Sequence, residues 1–197
     1  MEHQGLDSRE KILMATQDLL MEYGVEGTTT KLIAQRAGVN PVTVFRIFKT
    51  KEALLFEIVT KVASDELTKL KVVLEKDFTS IESFFHELNA TAVESFLVSK
   101  KTFPEIMNGN ADLGNDFFDF CSSFLLQAAQ LVATKLARLQ EQGLLRKVDF
   151  MDLSFCHFTL CMGATSTMDH NNQTLLGKSI QRSIEDMTQL LIKGLKP

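Results

Sequence analysis

Residues 28–51 read TTTKLIAQRAGVNPVTVFRIFKTK, and this stretch decides the fold. Its pattern predicts a helix over about Thr30–Ala37, a turn at Gly38, and a second helix from Pro41 to about Phe48. Gly38 stands where the chain turns with positive φ, which glycine adopts without penalty. Asn40 can cap the second helix, and Pro41 takes its first position, where a missing N–H costs nothing. Ala34 and Ala37 are small enough for close helix approach, while Val39, Val44 and Phe48 pin the second helix to its neighbours. Two short helices joined by a four-residue turn are the geometry that sets a helix into the major groove of DNA.

The charge of the stretch agrees with that geometry. It carries Lys31, Arg36, Arg46, Lys49 and Lys51 and no acidic residue, although the whole chain has a net charge of −4; the remainder therefore carries −9. An acidic body with one basic segment suits a protein that meets DNA through a single small surface. The side chains expected to face outward are Pro41, Val42, Thr43, Phe45 and Arg46. Val42 and Thr43 suit thymine methyls or base edges, and Arg46 suits a guanine edge or a phosphate. Thr30, Lys31 and Lys51 fall at helix N-termini, where they can clamp the DNA backbone. Thr43 and Arg46 are expected to carry most of the direct base reading.

Outward from this stretch the pattern stays helical. Asp7 and Glu10 have capping-box spacing for a helix from Ser8 to Tyr23, with Gly24 as its stop and Ile12, Leu13, Leu19, Leu20 and Tyr23 as its apolar face. Thr50 can cap a long helix to about Lys76, with Leu55, Ile58, Val59, Val62 and Leu70 at helical spacing. Thr79 and Glu82 predict a cap for a helix running to about Ser99. A short helix is expected at Pro104, a loop at 108–116, and helices over about 113–142, 149–169 and 175–194. The fold class is all-α, with three small helices leading and six forming a larger bundle. The corresponding domains are residues 1–50 and 51–197.

Composition narrows the class further. The chain has 197 residues, 45% of them apolar, with only 10 Gly and 3 Pro, which favours a helical protein with a sizeable core. No apolar run reaches membrane-spanning length, and MEHQGLDSREK lacks a signal-peptide core, so a cytoplasmic location is expected. Cys121, Cys156 and Cys161 are odd in number and in apolar surroundings, which predicts buried free thiols.

The residues around the turn bring a family into view. Thr28, Ile33, Ala34, Ala37, Gly38, Val39, Phe45, Phe48, Lys51, Glu52 and Leu54, preceded by YGVEGTT, resemble the N-terminal domain of the TetR family of transcriptional regulators. The resemblance covers about residues 10–60. It implies a dimer that binds a palindromic double-stranded operator and releases it when a small molecule binds the larger domain. Carried over by position, Thr30 and Lys31 would touch phosphate or a base. Pro41, Val42, Thr43, Phe45 and Arg46 would line the groove, and Lys51 would hold a phosphate. Phe45 departs from the more frequent tyrosine, and Ile47 stands at a position often polar in relatives.

Twelve of the 15 phenylalanines fall between Phe78 and Phe158. Phe117, Phe120, Cys121 and Phe124 share one helical face, and Phe84, Leu88 and Phe96 can share another. These side chains, with His157 and Cys161, either fill a core or line a pocket for an apolar or aromatic ligand. His157 and Cys161 have two-ligand helical spacing, but no further cluster accompanies them, so neither metal nor cofactor is implied. No nucleophile–base pair or phosphate loop supports catalysis. Ala164, Thr167, Ile180, Ile184, Met187 and Leu191 are the residues expected to form the homodimer interface. The competing reading is a lipid- or hydrophobe-binding protein with a TetR-like fold and no role on DNA.

Overall fold

The structure, a computed structural model, describes residues 7–102, 114–167 and 177–196. Eight helices occur among them: α1 Ser8–Gly27, α2 Thr30–Ala37, α3 Pro41–Phe48, α4 Lys51–Glu75, α5 Ile81–Thr102, α6 Gly114–Glu141, α7 Phe150–Ser166 and α8 Ile180–Leu195. The expected short helix at Pro104, most of the loop at 108–116 and the turn at 169–173 lie outside the described residues. The chain divides into two compact units, Met1–Ala63 with Ser99–Phe117, and Ser64–Val98 with Phe118–Pro197.

In the first unit nearly every helix end has its own local device. The Asp7 side chain accepts from the Glu10 backbone at 2.8 Å, and Glu10 accepts from the Asp7 backbone at 3.2 Å, closing the capping box of α1. Gly24 (φ 67°) breaks the regular helix, and one further turn leads to Gly27. A Cβ at Gly27 would lie 2.7 Å from the Tyr23 Cβ, so only glycine fits there. This break also corrects one expectation: the buried face of α1 ends at Leu20, and Tyr23 beside the break is exposed. At the end of α2, Gly38 lies at φ 66°; its N–H reaches the Gln35 carbonyl and that of Val39 reaches Ala34, a Schellman motif. The Asn40 side chain accepts from the Val42 N–H at 2.9 Å and starts α3, while Thr29 and Thr50 cap α2 and α4.

The core of this unit is Ile12, Leu19, Leu20, Ile33, Val44, Phe48, Leu54 and Ile58. Arg9 from α1 forks onto the Glu57 carboxylate of α4 and lies 5.2 Å from the Phe48 ring centroid. That arrangement holds the end of α3 between two longer helices. α3 itself ends at Lys49 (φ 64°, ψ −53°), where the Thr50 N–H reaches back to the Phe48 carbonyl at 2.7 Å. This is a γ-turn of the rare, strained kind, centred on a non-glycine residue.

The second unit is built on a conventional apolar core. Leu70, Phe84, Phe85, Leu88, Ala129, Leu136, Leu139, Leu145, Phe158, Ile184 and Ile192 are members of one buried cluster. Phe84 meets Phe78 and Phe85 edge-on, with ring centroids 5.2 and 5.3 Å away. Such pairs add to simple area burial. The cap of α5 is Ser80 rather than Thr79: the Ser83 N–H donates to the Ser80 hydroxyl at 3.1 Å. Capping-box spacing pointed one residue too early because both Thr79 and Ser80 carry a capping hydroxyl. α6 stops at Gly143 (φ 77°) as its sequence predicts. Beyond it, the Arg146 N–H bonds the Leu195 carbonyl at 2.9 Å and fixes this connection to the end of α8. The three cysteines are free; Cys161 is buried and Cys121 half-buried, but Cys156 is exposed, contrary to expectation.

Candidate nucleic-acid interface

α3 is an eight-residue helix with two faces of opposite use. Val44 and Phe48 are 3% and 5% exposed, packed inward as expected. On the other face Val42 is 71% exposed and Phe45 53%. Pro41 and Arg46 are also exposed, whereas Thr43 and Ile47 are half-buried. The wheel of a short helix explains the division: positions 44 and 48 are one turn apart on the inner side, and 42 and 45 one turn apart on the outer.

The five cations of residues 28–51 do not act alike. Arg36 sits on α2 and forks onto Glu22 of α1 at 2.8 and 2.9 Å. Its hydrogen bonds hold the Glu22 carboxyl below the usual carboxylate range. Arg36 is therefore a strut between α1 and α2. The Lys51 ammonium, at the first position of α4, donates to the Val25 carbonyl at 2.5 Å and is half-buried. It ties α4 to the end of α1, with two N–H donors left over. Lys31, Arg46 and Lys49 are exposed. Thr30, the first residue of α2, is half-buried beside Lys31. The α2 N-terminus also presents backbone N–H groups, a natural seat for phosphate, whereas at the start of α3 Pro41 has no N–H and those of Val42 and Thr43 bond to Asn40.

Sequence reasoning omitted Lys49 from the reading surface. The signal was its inclusion in the basic count; what was missing was the turn that exposes it. Arg9 was missed as a support of α3 because its partner Glu57 is 48 residues away.

The residues assigned to a ligand pocket separate into two groups. Phe84, Leu88, His157 and Cys161 are fully buried core residues and offer no surface to a ligand. Phe96, Phe120, Cys121 and Phe124 are half-buried, as is Phe117. His157 lies between the rings of Phe85 and Phe158, each centroid 5.6 Å away, and its Nε2 is 2.6 Å from the Asn89 Oδ1. Burial pushes its pKa down to about 4, so it is neutral near pH 7. Burial likewise pushes the Cys161 thiol up to about 12, which leaves it unreactive. The Asn89 amide continues to the Thr188 hydroxyl at 3.0 Å, joining α7, α5 and α8 through polar side chains. A cleft of about 100 Å³ between α5 and α8 borders Asn89 and Thr188.

The residues assigned to a dimer interface divide in the same way. Ile180 and Ile184 point into the core of their own subunit, because the α8 stripe that they share with Ile192 and Leu195 packs inward. Met187, Leu191 and Ala164 are half-buried, and Thr167 is exposed. On these two helices the large apolar side chains that stand in solvent include Phe155 and Met162 on α7 and Leu190 on α8.

An all-helical chain with a capped helix–turn–helix and an exposed α3 face has the build of a DNA-binding regulator. Residues 12–58 match the family model described as bacterial regulatory proteins, tetR family. The chain is 23% identical over 191 residues to YvkB of Bacillus subtilis strain 168, an HTH-type transcriptional regulator not otherwise characterised, covering 95% of this chain and 97% of that one. Its fold matches a TetR/AcrR-family regulator from Thermobifida fusca with a TM-score of 0.74, 20% identity, and coverage of 96% and 98%. It also matches SmeT, the repressor of a multidrug efflux pump in Stenotrophomonas maltophilia, with a TM-score of 0.65, 24% identity, and coverage of 95% and 90%. Residues 12–58 are thus similar to the DNA-binding domain of TetR-family regulators, and the fold of the whole chain matches that of such regulators. No helix among the described residues is long and apolar enough to cross a membrane.

Proposed function

We propose that this chain is a ligand-responsive repressor that binds a palindromic operator as a homodimer. The observation that carries the reading is the exposed face of α3, flanked by Lys31, Arg46 and Lys49 on an otherwise acidic chain. Pro41, Val42, Thr43, Phe45 and Arg46 line the groove in this reading. Thr30, Lys31 and the N-terminus of α4 at Lys51 face phosphates. A single short helix reads too few base pairs for operator specificity, so a two-fold pair of heads is required.

The dimer uses the outer face of α7 (Phe155, Thr159, Met162, Ser166) and the flank of α8 formed by Met187, Leu190, Leu191 and Gly194. These positions recur at helical spacing and combine exposed apolar and small side chains. The half-buried aromatic residues Phe96, Phe120 and Phe124, with Cys121, form the surface for an apolar or aromatic ligand. Phenylalanine offers no hydrogen bond, so a sugar or nucleotide is a poor occupant. The ligand releases DNA only to the extent that it binds the DNA-incompetent state more tightly. The likeness to SmeT favours repression over activation.

The test is binding to duplex fragments from the region upstream of its own gene, measured at low and moderate salt. Affinity falls as salt rises, and Arg46→Ala with Lys31→Ala weakens binding by on the order of 10-fold or more and reduces the salt slope. Micromolar or weaker binding to every genomic fragment at low salt sinks the reading.

A further inference from the structure

Two strongly exposed side chains on the outer face of α3, Val42 and Phe45, are apolar. Val42 and Phe45 are three residues apart, so they lie side by side along the outer face. Around them, polar base-reading groups are scarce. The Asn40 Oδ1 accepts from the Val42 N–H at 2.9 Å, which holds this amide in its capping role. Pro41 has no donor, Thr43 is half-buried, and no Gln, Asp or Glu occurs anywhere in α3. Arg46 is the only charged reader on the helix itself, and a cation serves phosphates as readily as bases.

Within the major groove the thymine C5-methyl is the apolar group that a base pair presents. An apolar pair pressed against it is removed from water; against any other base edge it leaves a base donor or acceptor without a partner. The exposed cations Lys31, Arg46 and Lys49 of the same helix–turn–helix match a polyanion rather than a second apolar protein surface. We propose that Val42 and Phe45 read thymine methyl groups, so that operator specificity depends on the C5-methyls of thymines in each half-site. Thr43 and Arg46 then play the lesser part in base discrimination, the reverse of the expectation from sequence. This inference rests on the DNA-binding reading above.

The experiment uses the full chain and two libraries of duplexes with a common random core. In one library the core carries thymine, in the other uracil, which pairs identically and lacks only the methyl group. Duplexes selected from the thymine library contain T·A pairs in both half-sites, and rebuilding them with uracil weakens binding on the order of 10-fold. Val42→Ala and Phe45→Ala each shrink that thymine-to-uracil ratio. Lys31→Ala weakens both forms alike. Equal affinity for the two forms, or a selected core without T·A pairs, overturns the inference and leaves DNA binding intact. A ratio that survives in the Val42→Ala, Phe45→Ala double variant overturns the assignment to these residues. Absence of salt-dependent binding to either library overturns both the inference and the repressor reading.

Discussion

α3 and α5 both carry prominent phenylalanines, and the two helices use them in opposite ways. Phe84 and Phe85 of α5 lie wholly inside the larger unit, where each is gripped by other rings. Phe45 of α3 stands in solvent, although Phe48, one turn on, is buried. Residue type alone does not separate these cases. What separates them is whether the fold has a second layer to close over the side chain. The bundle has one; α3 buries only one of its faces, at Val44 and Phe48.

The largest expected effect follows directly. Phe84→Ala destabilises the protein by about 3–5 kcal/mol in chemical denaturation, since it opens a cavity in a closed core. Phe45→Ala changes stability by no more than about 0.5 kcal/mol and appears instead as lost DNA affinity. Equal destabilisation by the two would erase the contrast.

A second effect separates the units by pH. Folded His157 titrates near 4, below its ordinary 6.5, because burial disfavours the charged ring. As pH falls, the unfolded chain takes up the proton first. The stability that neutral His157 permits is therefore whole above about pH 6.5 and is lost progressively as pH falls toward 4, by roughly 3 kcal/mol at the foot of that window. Residues 7–63 of the head contain no histidine. Thermal melts between pH 7 and 4.5 show the slope in the wild-type chain. His157→Gln, which can still donate to Asn89, flattens it. An unchanged slope in that variant assigns the loss to other groups.

The smallest effects concern helix caps. Asn40→Ala costs about 1 kcal/mol because it frees the Val42 N–H at the start of α3. Ser80→Ala costs about as much at the start of α5, whereas Thr79→Ala, next to it, changes nothing measurable by denaturant titration. A loss at Thr79 instead of Ser80 would move the start of α5 back by one residue.

The head was legible in the sequence because its determinants are local. Asp7 with Glu10, Gly38, Asn40 before Pro41, and Thr50 each act within four residues, and each appears in the structure where the spacing places it. The bundle was legible as helices but not as surfaces. Ile180 and Ile184 form an apolar stripe that reads the same whether it faces its own core or a second copy, and packing put it inside. Phe84, Leu88, His157 and Cys161 had the composition of a pocket wall and became core. Lys51 read as a phosphate clamp and Arg36 as part of the basic stretch, yet both are engaged by groups of α1, at Val25 and Glu22.

The sequence by itself determined the helices and the helix–turn–helix, because capping, glycine φ and apolar periodicity act over a few residues. Only the tertiary structure decided which apolar faces are closed and which cations are free. Those outcomes depend on partners 14 to 99 residues away, from Arg36 with Glu22 to Asn89 with Thr188, which no local pattern encodes.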